Sequence, residues 1–440
     1  MLAVDENLAR FAKDKSLRSK GQALALDLDA AWGKALDAPT GPIDVIDMFS
    51  GCGGMSAGFL AVNALTPAYR LAMAVDIDVD ANNSYEANLG LRPQRLDVAE
   101  LGANPAKARK LIASVRSNPS APLVMIGCAP CQGFSSHRNS HGEGDKRNSL
   151  FISFTKIAVA VKPDAVIIEN VPELLTDRYW PLVDQARKML SEAGYSVRVD
   201  VHNMAEFGVP QQRFRAVMIA MRKSFGMPKG FLSRGTYRTV RSAISYLPKI
   251  TPGQIDPTDP MHYTAGHRPS TVETIKAVPR DGGNRPKNVG PSCLQRAEDK
   301  SGRAAYEDVY GRLWWDRPSI TMTAYSRNPA SGRFVHPDQH RGLSVREVAL
   351  LQSFPRSYSF CGSLDSRFRQ VGNAVPPAFS AFLATHLLGE LLGSHQEEPW
   401  DEGITAPVGP SFSRLIPALK AGHRTISGSQ RPLDANAHPC

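Results

Sequence analysis

The amino-acid sequence predicts an α/β protein built on a parallel, doubly wound sheet, with a second, smaller and irregular domain. Three observations carry that prediction. From Pro42 onward, short apolar runs recur along the chain: IDVIDMF, LAMAVD, LVMIG, AVIIEN and RAVMIAM. Between them lie stretches with helical patterning, such as SLFISFTKIAVAV at 149–161 and another around 181–193, each long enough to cover a sheet. After Met221 the alternation stops, and roughly a hundred residues rich in Pro, Gly, Arg and Ser follow without strong periodicity. Strands that alternate with helices need crossovers and therefore pair in parallel, whereas a Pro- and Gly-rich stretch cannot extend such a sheet.

In chain order, residues 1–40 read as a polar, partly helical extension in which Leu8, Phe11 and Leu17 mark a weak apolar stripe. No chemistry is assigned to them. Residues 41–221 hold the alternating runs, and 222–340 form the small domain. Helical patterning returns over 341–394, at LSVREVALLQSF and PPAFSAFLATHLLGELLG. The second of these has apolar residues on more than one face, so it should pack back onto the sheet. Residues 395–440, rich in polar residues and Pro, are expected to form a mobile tail. No internal repeat is found in the sequence.

With 42% hydrophobic residues the chain can bury a substantial core. No run approaches the ~20 apolar residues of a membrane span, and the N-terminus MLAVDENLARFAKDK is too charged for a secretory signal. A cytoplasmic protein with no membrane partner is expected. The cysteines, at 52, 128, 131, 293, 361 and 440, form no dense framework and read as reduced thiols. The formal charge of +10 is concentrated: residues 221–340 carry 19 Lys and Arg against 10 Asp and Glu, while the remainder carries 33 against 32. Such a distribution suits a surface that neutralises phosphates, and equally a solvated basic face.

The first apolar run leads into DMFSGCGGMSAGF, which sets Gly51, Gly53 and Gly54 at a strand-to-helix turn, where glycine permits positive φ and close backbone approach. Alone, such a turn is often only a tight turn. The following run, LAMAVDID, ends in Asp76, about 25 residues after the first glycine, where a carboxylate can hold both hydroxyls of a ribose. Asp97, in RLDV, is a candidate for an adenine edge. These residues fit a nicotinamide nucleotide as well as S-adenosylmethionine. The rest of the chain, with a nucleophile and no hydride-transfer constellation, favours the latter.

LVMIG, counted as the fourth strand, leads into Cys128-Ala129-Pro130-Cys131-Gln132-Gly133-Phe134-Ser135 at the carboxyl edge of the sheet, where ligands collect in such folds. The cysteine pair has three readings. Zinc needs about four ligands, and the sequence has no second CxxC or closely spaced His pair, so no metal is expected. Cys-Ala-Pro-Cys matches the spacing of a dithiol redox centre, yet that fold of ~100 residues would leave most of the chain unexplained. The third reading is a single nucleophile, Cys131. AVIIEN, counted as the fifth strand, brings Glu169 to the same edge. Gly208-Val209-Pro210-Gln211-Gln212-Arg213-Phe214-Arg215 then enters RAVMIAM with Arg213 and Arg215 on one face at period two. Neighbouring arginines need counter-charge: they pair with Glu169, face an anionic substrate, or do both.

One chemistry uses all of these groups. Carbon 5 of cytosine is too electron-poor to take a methyl group directly, and a thiolate adding at C6 turns the ring into an enamine that is nucleophilic at C5. Electrons move toward N3 in that step. A Glu hydrogen-bonded there as proton donor stabilises the developing charge, and an arginine can bind O2.

With these residues assembled, the sequence closely resembles the bacterial-type DNA (cytosine-5) methyltransferases over residues 41–392, in blocks that occur in the family's order. The resemblance implies a Rossmann-like, S-adenosylmethionine-dependent methyltransferase sheet with a target recognition domain at 222–340. DMFSGCGGMSAGF resembles the cofactor loop, in which Phe49 would stack on adenine and the Gly51–Gly54 turn would hold the methionine part, with Ser50, Cys52 and Gly53 among the contacts. Asp76 with Ile77, and Asp97 with Val98, match the ribose and adenine positions. Pro130-Cys131-Gln132 is similar to the catalytic loop, Glu169-Asn170-Val171 to the second catalytic motif, and Gln211-x-Arg213-x-Arg215 to the third. Arg346-Glu347-x-Ala349-x-Leu351-Gln352-x-Phe354-Pro355 is similar to the block that supports the recognition domain. Gln370-Val371-Gly372-Asn373-Ala374-Val375-Pro376 is similar to the last block, with Asn373 and Val375 completing the cofactor pocket. Departures from the pattern are Asp76 where Glu is usual, Ala129 where a second Pro is frequent, and Asp145-Lys146-Arg147-Asn148 where Asp-x-Arg-Gly is common. None removes a catalytic group.

The implied reaction moves a methyl group from S-adenosylmethionine to carbon 5 of a cytosine rotated out of a specific double-stranded DNA site, through a covalent Cys131–C6 adduct. Rotation costs a few kcal/mol of unstacking, because C6 is hidden inside a duplex. Ser135-Ser136-His137-Arg138 is suited to closing over the rotated base. Thr321 and Thr323, in PSITMTAYSRNP, resemble a feature of the recognition domain's core, or are simply two strand threonines. A monomer is expected, with a cognate restriction endonuclease as candidate partner. A related tRNA cytosine methyltransferase branch carries Cys-Phe-Thr, which is absent here. A silent DNA-binding relative would not need Cys131, Glu169, Arg213 and Arg215 together, and a nicotinamide oxidoreductase leaves the arginine pair unexplained.

Overall fold

The computed structural model describes residues 6–130, 148–295, 308–393 and 403–411. Short helices open the chain: α1 (Glu6–Ala12), α2 (Leu17–Leu26) and α3 (Leu28–Asp37). The sheet region follows as β1 (Ile43–Met48), α4 (Gly54–Ala61), β2 (Tyr69–Val75), α5 (Val79–Leu89), α6 (Val98–Ala103), α7 (Pro105–Val115) and β3 (Leu123–Gly127). It continues through α8 (Asn148–Val161), β4 (Ala165–Asn170), α9 (Trp180–Glu192), β5 (Ser196–Asn203) and β6 (Phe214–Met221). Beyond β6 come α10 (Val240–Ile244), α11 (Pro269–Ala277) and α12 (Ser292–Gln295), and the chain returns to the sheet with α13 (Val345–Leu351), α14 (Leu364–Asn373) and α15 (Pro377–Leu392).

The six-stranded sheet has the order β2-β1-β3-β4-β6-β5. β1 pairs in parallel with β2 and β3, and β3 with β4. Winding therefore reverses at β1, and a crevice opens at the carboxyl ends of β1 and β3. The α/β class expected from the sequence is the one observed, with three differences in the sheet. β6 runs antiparallel to both β4 and β5. The segment joining β5 to β6 is too short for a helical crossover, and it turns back through a 3-10 turn at Met204–Phe207 and Gly208, which has φ +86°. β5 was absent from the apolar runs because SVRVDVHN is an edge strand with charged residues on its half-exposed positions. LVMIG and AVIIEN are the third and fourth strands, not the fourth and fifth. RLDV forms no strand: the segment touches β2 through a single Val75–Gln94 bridge before Asp97 caps α6.

Alternate residues along each strand face opposite layers. Val45, Ile126, Ile167 and Ile219 join Phe59 of α4 and Phe379, Phe382 and Leu387 of α15 in one core. Ile46, Met125, Ile168 and Met218 join Leu101, Ile112, Phe154 and Leu190 of α6–α9 in the other. Taken together, α14 and α15 (Leu364–Leu392) have the length and mean hydropathy of a membrane span, but 78% of the apolar window is buried inside the protein. This apolar surface is used by the sheet and by the N-terminal helices.

Those N-terminal helices are more than a polar appendage. Leu8, Leu24, Ala25 and Leu28 join the core around α15. Trp32, only 3% exposed, packs on Tyr358 with ring centroids 5.8 Å apart, in a core shared with α10, α13 and α14. Arg18 Nη2 donates to the Lys229 carbonyl at 3.0 Å, Arg238 Nη1 to the Leu26 carbonyl at 3.3 Å, and the Arg356 amide to Asp29 at 2.6 Å. The extension thus bridges the sheet and the segments that follow it.

Within 222–340, Ile275, Val278, Val309, Tyr310 and Val335 make a small separate core. The tail expectation is corrected for residues 403–411. Gly403 bridges Val199 of β5, the Ile404 amide donates to the Val199 carbonyl at 2.8 Å, and the Val408 amide to the Leu175 carbonyl at 2.9 Å. An edge strand presents unpaired backbone groups, and this segment satisfies some of them while burying Ile404 and Val408. The remainder of 395–440 lies outside the described residues.

Candidate active site

A cavity of about 420 Å³ opens at the carboxyl ends of β1, β3 and β4. Phe49, Ser50, Gly51, Cys52 and Gly54 line it from the β1–α4 turn, Asp76 and Ile77 from the end of β2, and Asp97 and Val98 from α6. Pro130, Glu169, Arg213 and Arg215 line its other side, and Asn373 at the end of α14 and Val375 in the link to α15 close it. Gly53 is set behind the wall, at φ +89°, where a Cβ would fall 2.5 Å from Leu89. Cys131 and Gln132 lie outside the described residues, as do Ser135, Ser136, His137 and Arg138 and residues 145–147.

The glycine turn is shaped for close approach. A Cβ on Gly54 would lie 2.4 Å from the Val375 carbonyl oxygen, whereas Gly51, at φ +52°, faces open space. Phe49 holds a φ of +60°, a strained value for an aromatic residue and one that collects at functional sites. Asp76 buttresses this turn: its Oδ2 accepts from the Gly51 amide at 2.8 Å and its Oδ1 from the Asp78 amide at 2.9 Å. Burial pushes the Asp76 carboxyl above its ordinary range. Each oxygen still has lone-pair capacity for a further donor. Asp97 is the exposed N-cap of α6 and accepts from the Ala99 amide at 2.7 Å.

Glu169 is the penultimate residue of β4 and is 6% exposed. Because β6 runs antiparallel to β4, its first residues lie beside Glu169 and Asn170. Arg215 Nε stands 2.9 Å from Glu169 Oε1, an ion pair held off the axis of a good hydrogen bond. Arg213 behaves differently from the expected twin. Its guanidinium is buried and donates to the carbonyls of Met322 at 3.1 Å, Gly372 at 3.2 Å and Ala374 at 3.1 Å. Arg215 is the partner of Glu169. Asn170 Nδ2 donates to the Ala129 carbonyl at 3.1 Å, tying the end of β4 to the loop that leads toward Cys131.

Cys128, by contrast, is held as a thiol. Its Sγ is 3.6 Å from Met55 Sδ, and burial, with the charges of Glu169 and Asp47 beside it, raises its pKa well above the usual thiol value against the opposing Arg213 and Arg215. That environment does not suit a dithiol redox pair. Among the described residues no group of His, Cys, Asp and Glu is arranged to hold a metal ion.

The supporting blocks meet behind the site. Gln211 Nε2 donates to the Leu351 carbonyl at 3.1 Å and to Gln352 Oε1 at 2.9 Å, while its Oε1 accepts from the Met322 amide at 2.9 Å. Arg346 reaches Asp259 at 2.6 Å, joining α13 to the irregular region. Thr321 Oγ1 donates to the Gln212 carbonyl at 3.0 Å, and Thr323 Oγ1 accepts from the Tyr325 amide at 3.2 Å; neither threonine lies in a strand.

Three charged lining residues were given no role by the sequence reading: Asp47, Asp78 and Arg369. Arg369 pairs with Asp78 at 3.0 Å, and nothing in its spacing along α14 announces this. Asp47 sits on the cavity wall at 2% exposure, with its Oδ2 accepting from Ser56 Oγ at 2.5 Å and Ser56 in turn accepting from the Tyr85 hydroxyl at 2.8 Å. Burial, with Asp76 adding to it, pushes the Asp47 carboxyl up to about 7. A carboxylate inside the wholly buried run IDVIDM was the signal.

A sequence model of the family described as C-5 cytosine-specific DNA methylase matches residues 43–389. The chain is similar to Type II methylase M.HgiDII of Herpetosiphon aurantiacus, at 32% identity over 365 residues, covering 80% of this chain and 97% of that protein. It is also similar to Type II methyltransferase M1.HphI of Haemophilus parahaemolyticus, at 31% over 347 residues, covering 78% and 86%. Among solved structures, a protein described as a DNA modification methyltransferase encoded within a prophage (E. coli) superposes with a TM-score of 0.58 at 22% identity, covering 78% of this chain and 98% of that one. That last likeness concerns the fold alone.

Proposed function

The chain belongs to the C-5 cytosine-specific DNA methylases and is a DNA (cytosine-5-)-methyltransferase, and from that premise we propose that it methylates a cytosine rotated out of a specific double-stranded DNA site, with S-adenosylmethionine as donor and a covalent bond between Cys131 and C6 as the intermediate. The observation that carries the choice of donor is the charge of the cavity. Asp76 faces it beside the glycine turn with Asp47, half ionised at neutral pH, behind it, and among the described residues neither is paired with Lys, Arg or His, whereas the arginines of the wall are engaged by backbone carbonyls (Arg213), Glu169 (Arg215) and Asp78 (Arg369). The pyrophosphate of a nicotinamide dinucleotide would be repelled there, whereas a sulfonium and an ammonium would be attracted. When bound, S-adenosylmethionine supplies an electrophilic methyl group.

On the cofactor side Phe49 would hold the adenine face, Asp97 its edge and Ile77 and Val98 its flanks, while Asp76, which holds the turn, would take the ribose hydroxyls. Gly51 to Gly54, Ser50, Asn373 and Val375 would hold the methionine part. On the base side the Cys131 thiolate adds to C6, electrons move toward N3, and Glu169 donates a proton there. C5 takes the methyl group, its proton passes to solvent water, the C6–S bond breaks to release the thiolate, and N3 returns its proton to Glu169 as the aromatic ring is restored. Arg215, paired with Glu169, is the arginine available to O2. Arg213, committed to the carbonyls of Met322, Gly372 and Ala374, is a positioning residue. Pro130 and Gln132 orient the loop around the nucleophile. Residues 222–340 bind and read the DNA. The enzyme is proposed to act in the cytoplasm as a monomer, and the similarity to Type II enzymes supports a cognate restriction endonuclease acting on the same site.

Sequencing of converted genomic DNA from a host expressing the chain identifies both the site and the methylated carbon. A duplex bearing that site with 5-fluorocytosine at the target, which cannot lose its C5 substituent as a proton, is expected to trap a covalent complex whose mass maps to Cys131. Cys131→Ala should abolish turnover and leave DNA binding in place. Normal turnover in that variant, or a trapped link elsewhere, refutes the mechanism.

A further inference from the structure

We propose that Tyr325 is a DNA-stacking residue whose ring lies against the base beside the rotated cytosine; the inference rests on the methyltransferase reading above. Exposure alone would say little, since single exposed aromatics are common. Position says more. Tyr325 is 65% exposed, yet its backbone is held at both ends. Its amide donates to Thr323 Oγ1 at 3.2 Å, and its carbonyl accepts from the Asn328 amide at 3.0 Å and from Ser331 Oγ at 2.8 Å.

The residues just before it are wedged onto the cavity wall. A Cβ on Gly372, which lines the cavity, would fall 2.3 Å from the carbonyl carbon of Thr323. Met322 is tied by its carbonyl to Arg213 and by its amide to Gln211. Just after Tyr325, Arg327 pairs with Asp365. A turn held at both ends therefore carries an exposed aromatic ring next to the Thr323–Ala324 backbone that packs on Gly372 of the cavity wall, from within the basic segment that is assigned to DNA. Among the described residues of that segment the other exposed tyrosine, Tyr246, is covered by the Arg356 guanidinium at 4.0 Å. Among the described residues Tyr325 has no ring or cation over its face.

Rotating a base out of a duplex leaves its neighbours with an unstacked face, and an aromatic ring against such a face recovers one stack. Every base has such a face, so this contact contributes affinity and stabilises the rotated state without choosing the sequence.

The test uses the full chain and a duplex bearing the site that conversion sequencing identifies, with 2-aminopurine in place of the target cytosine. Tyr325→Ala is expected to bind this duplex about 5- to 100-fold more weakly, the equivalent of one base–aromatic stack, and to lose the fluorescence rise that accompanies rotation. Tyr325→Phe should keep both, and both variants should bind S-adenosylmethionine normally, since the side chain is exposed and outside the cofactor wall. Wild-type affinity and fluorescence in Tyr325→Ala overturns the inference, as does a Tyr325→Phe variant as defective as Ala, which would point to the hydroxyl instead. Methylation with an unaffected Tyr325→Ala removes this inference alone. Absence of 5-methylcytosine from the converted genome removes the methyltransferase reading and this inference with it.

Discussion

Asp44 and Asp47 stand on the same buried strand and meet opposite fates. Asp44 has Arg70 at 2.7 Å and Arg116 at 2.8 Å. Asp47 has a serine hydroxyl and the cavity. A carboxyl raised to about 7 in the fold, from 3.8 when unperturbed, favours the folded state fully below about pH 4 and loses that contribution as pH rises through about 7. The span is worth on the order of 4 kcal/mol. The protein without cofactor is therefore expected to lose stability to urea between pH 5 and pH 8, and Asp47→Asn should flatten that slope. Parallel slopes in the two proteins would show that Asp47 does not titrate there. Calorimetry should also find S-adenosylmethionine binding tighter at pH 8 than at pH 6 in the wild type, with the difference reduced in Asp47→Asn.

At the level of elements, strand direction decides the chemistry. Had β6 been parallel to β4, Arg213 and Arg215 would lie at the amino edge, about a strand length from Glu169; the short return from β5 puts them beside it. Elements outside the sheet matter in a similar way. α3 places Trp32 in a core with Tyr358, so Trp32→Ala should cost roughly 3–5 kcal/mol in urea unfolding. Arg238→Ala, which removes a more exposed hydrogen bond from the same bridge, should cost less than about 1.5 kcal/mol. Equal losses in the two variants would mean that the N-terminal helices are held by their polar ties rather than by packing.

Across the whole molecule, the basic excess in 221–340 is not all available to phosphate. Arg312 is fully buried and donates to the carbonyls of Ile275, Val278, His336 and Gln339, and Arg333 pairs with Asp308 and covers Trp314 at 4.0 Å. Such arginines hold an irregular region together where regular secondary structure does not. DNA affinity is expected to fall steeply with salt, with a logarithmic slope smaller in magnitude than the ~0.9 per charge that the full excess would imply. A flat response, measured by fluorescence anisotropy from 50 to 200 mM salt (about the range over which phosphate contacts are lost), would remove the role given to this segment.

What the sequence determined by itself is the chemistry and its addresses. Gly51, Asp76 and Glu169 stand at strand ends that local apolar patterning marks, and ligand sites in this class gather at those ends, so their meeting in one cavity was legible, whereas that of Arg215 was not. Strand direction was not legible, because it depends on whether the chain has room for a crossover, and neither was β5, whose edge position leaves it only half apolar. The separation of Arg213 from Arg215 was likewise beyond local reading. Period two places both on one face, but only the folding back of residues 322, 372 and 374 supplies the carbonyls that engage the first and leave the second to Glu169. Local patterning carries burial and direction along one segment; hydrogen-bond partners drawn from segments more than a hundred residues apart exist only once the chain has closed on itself.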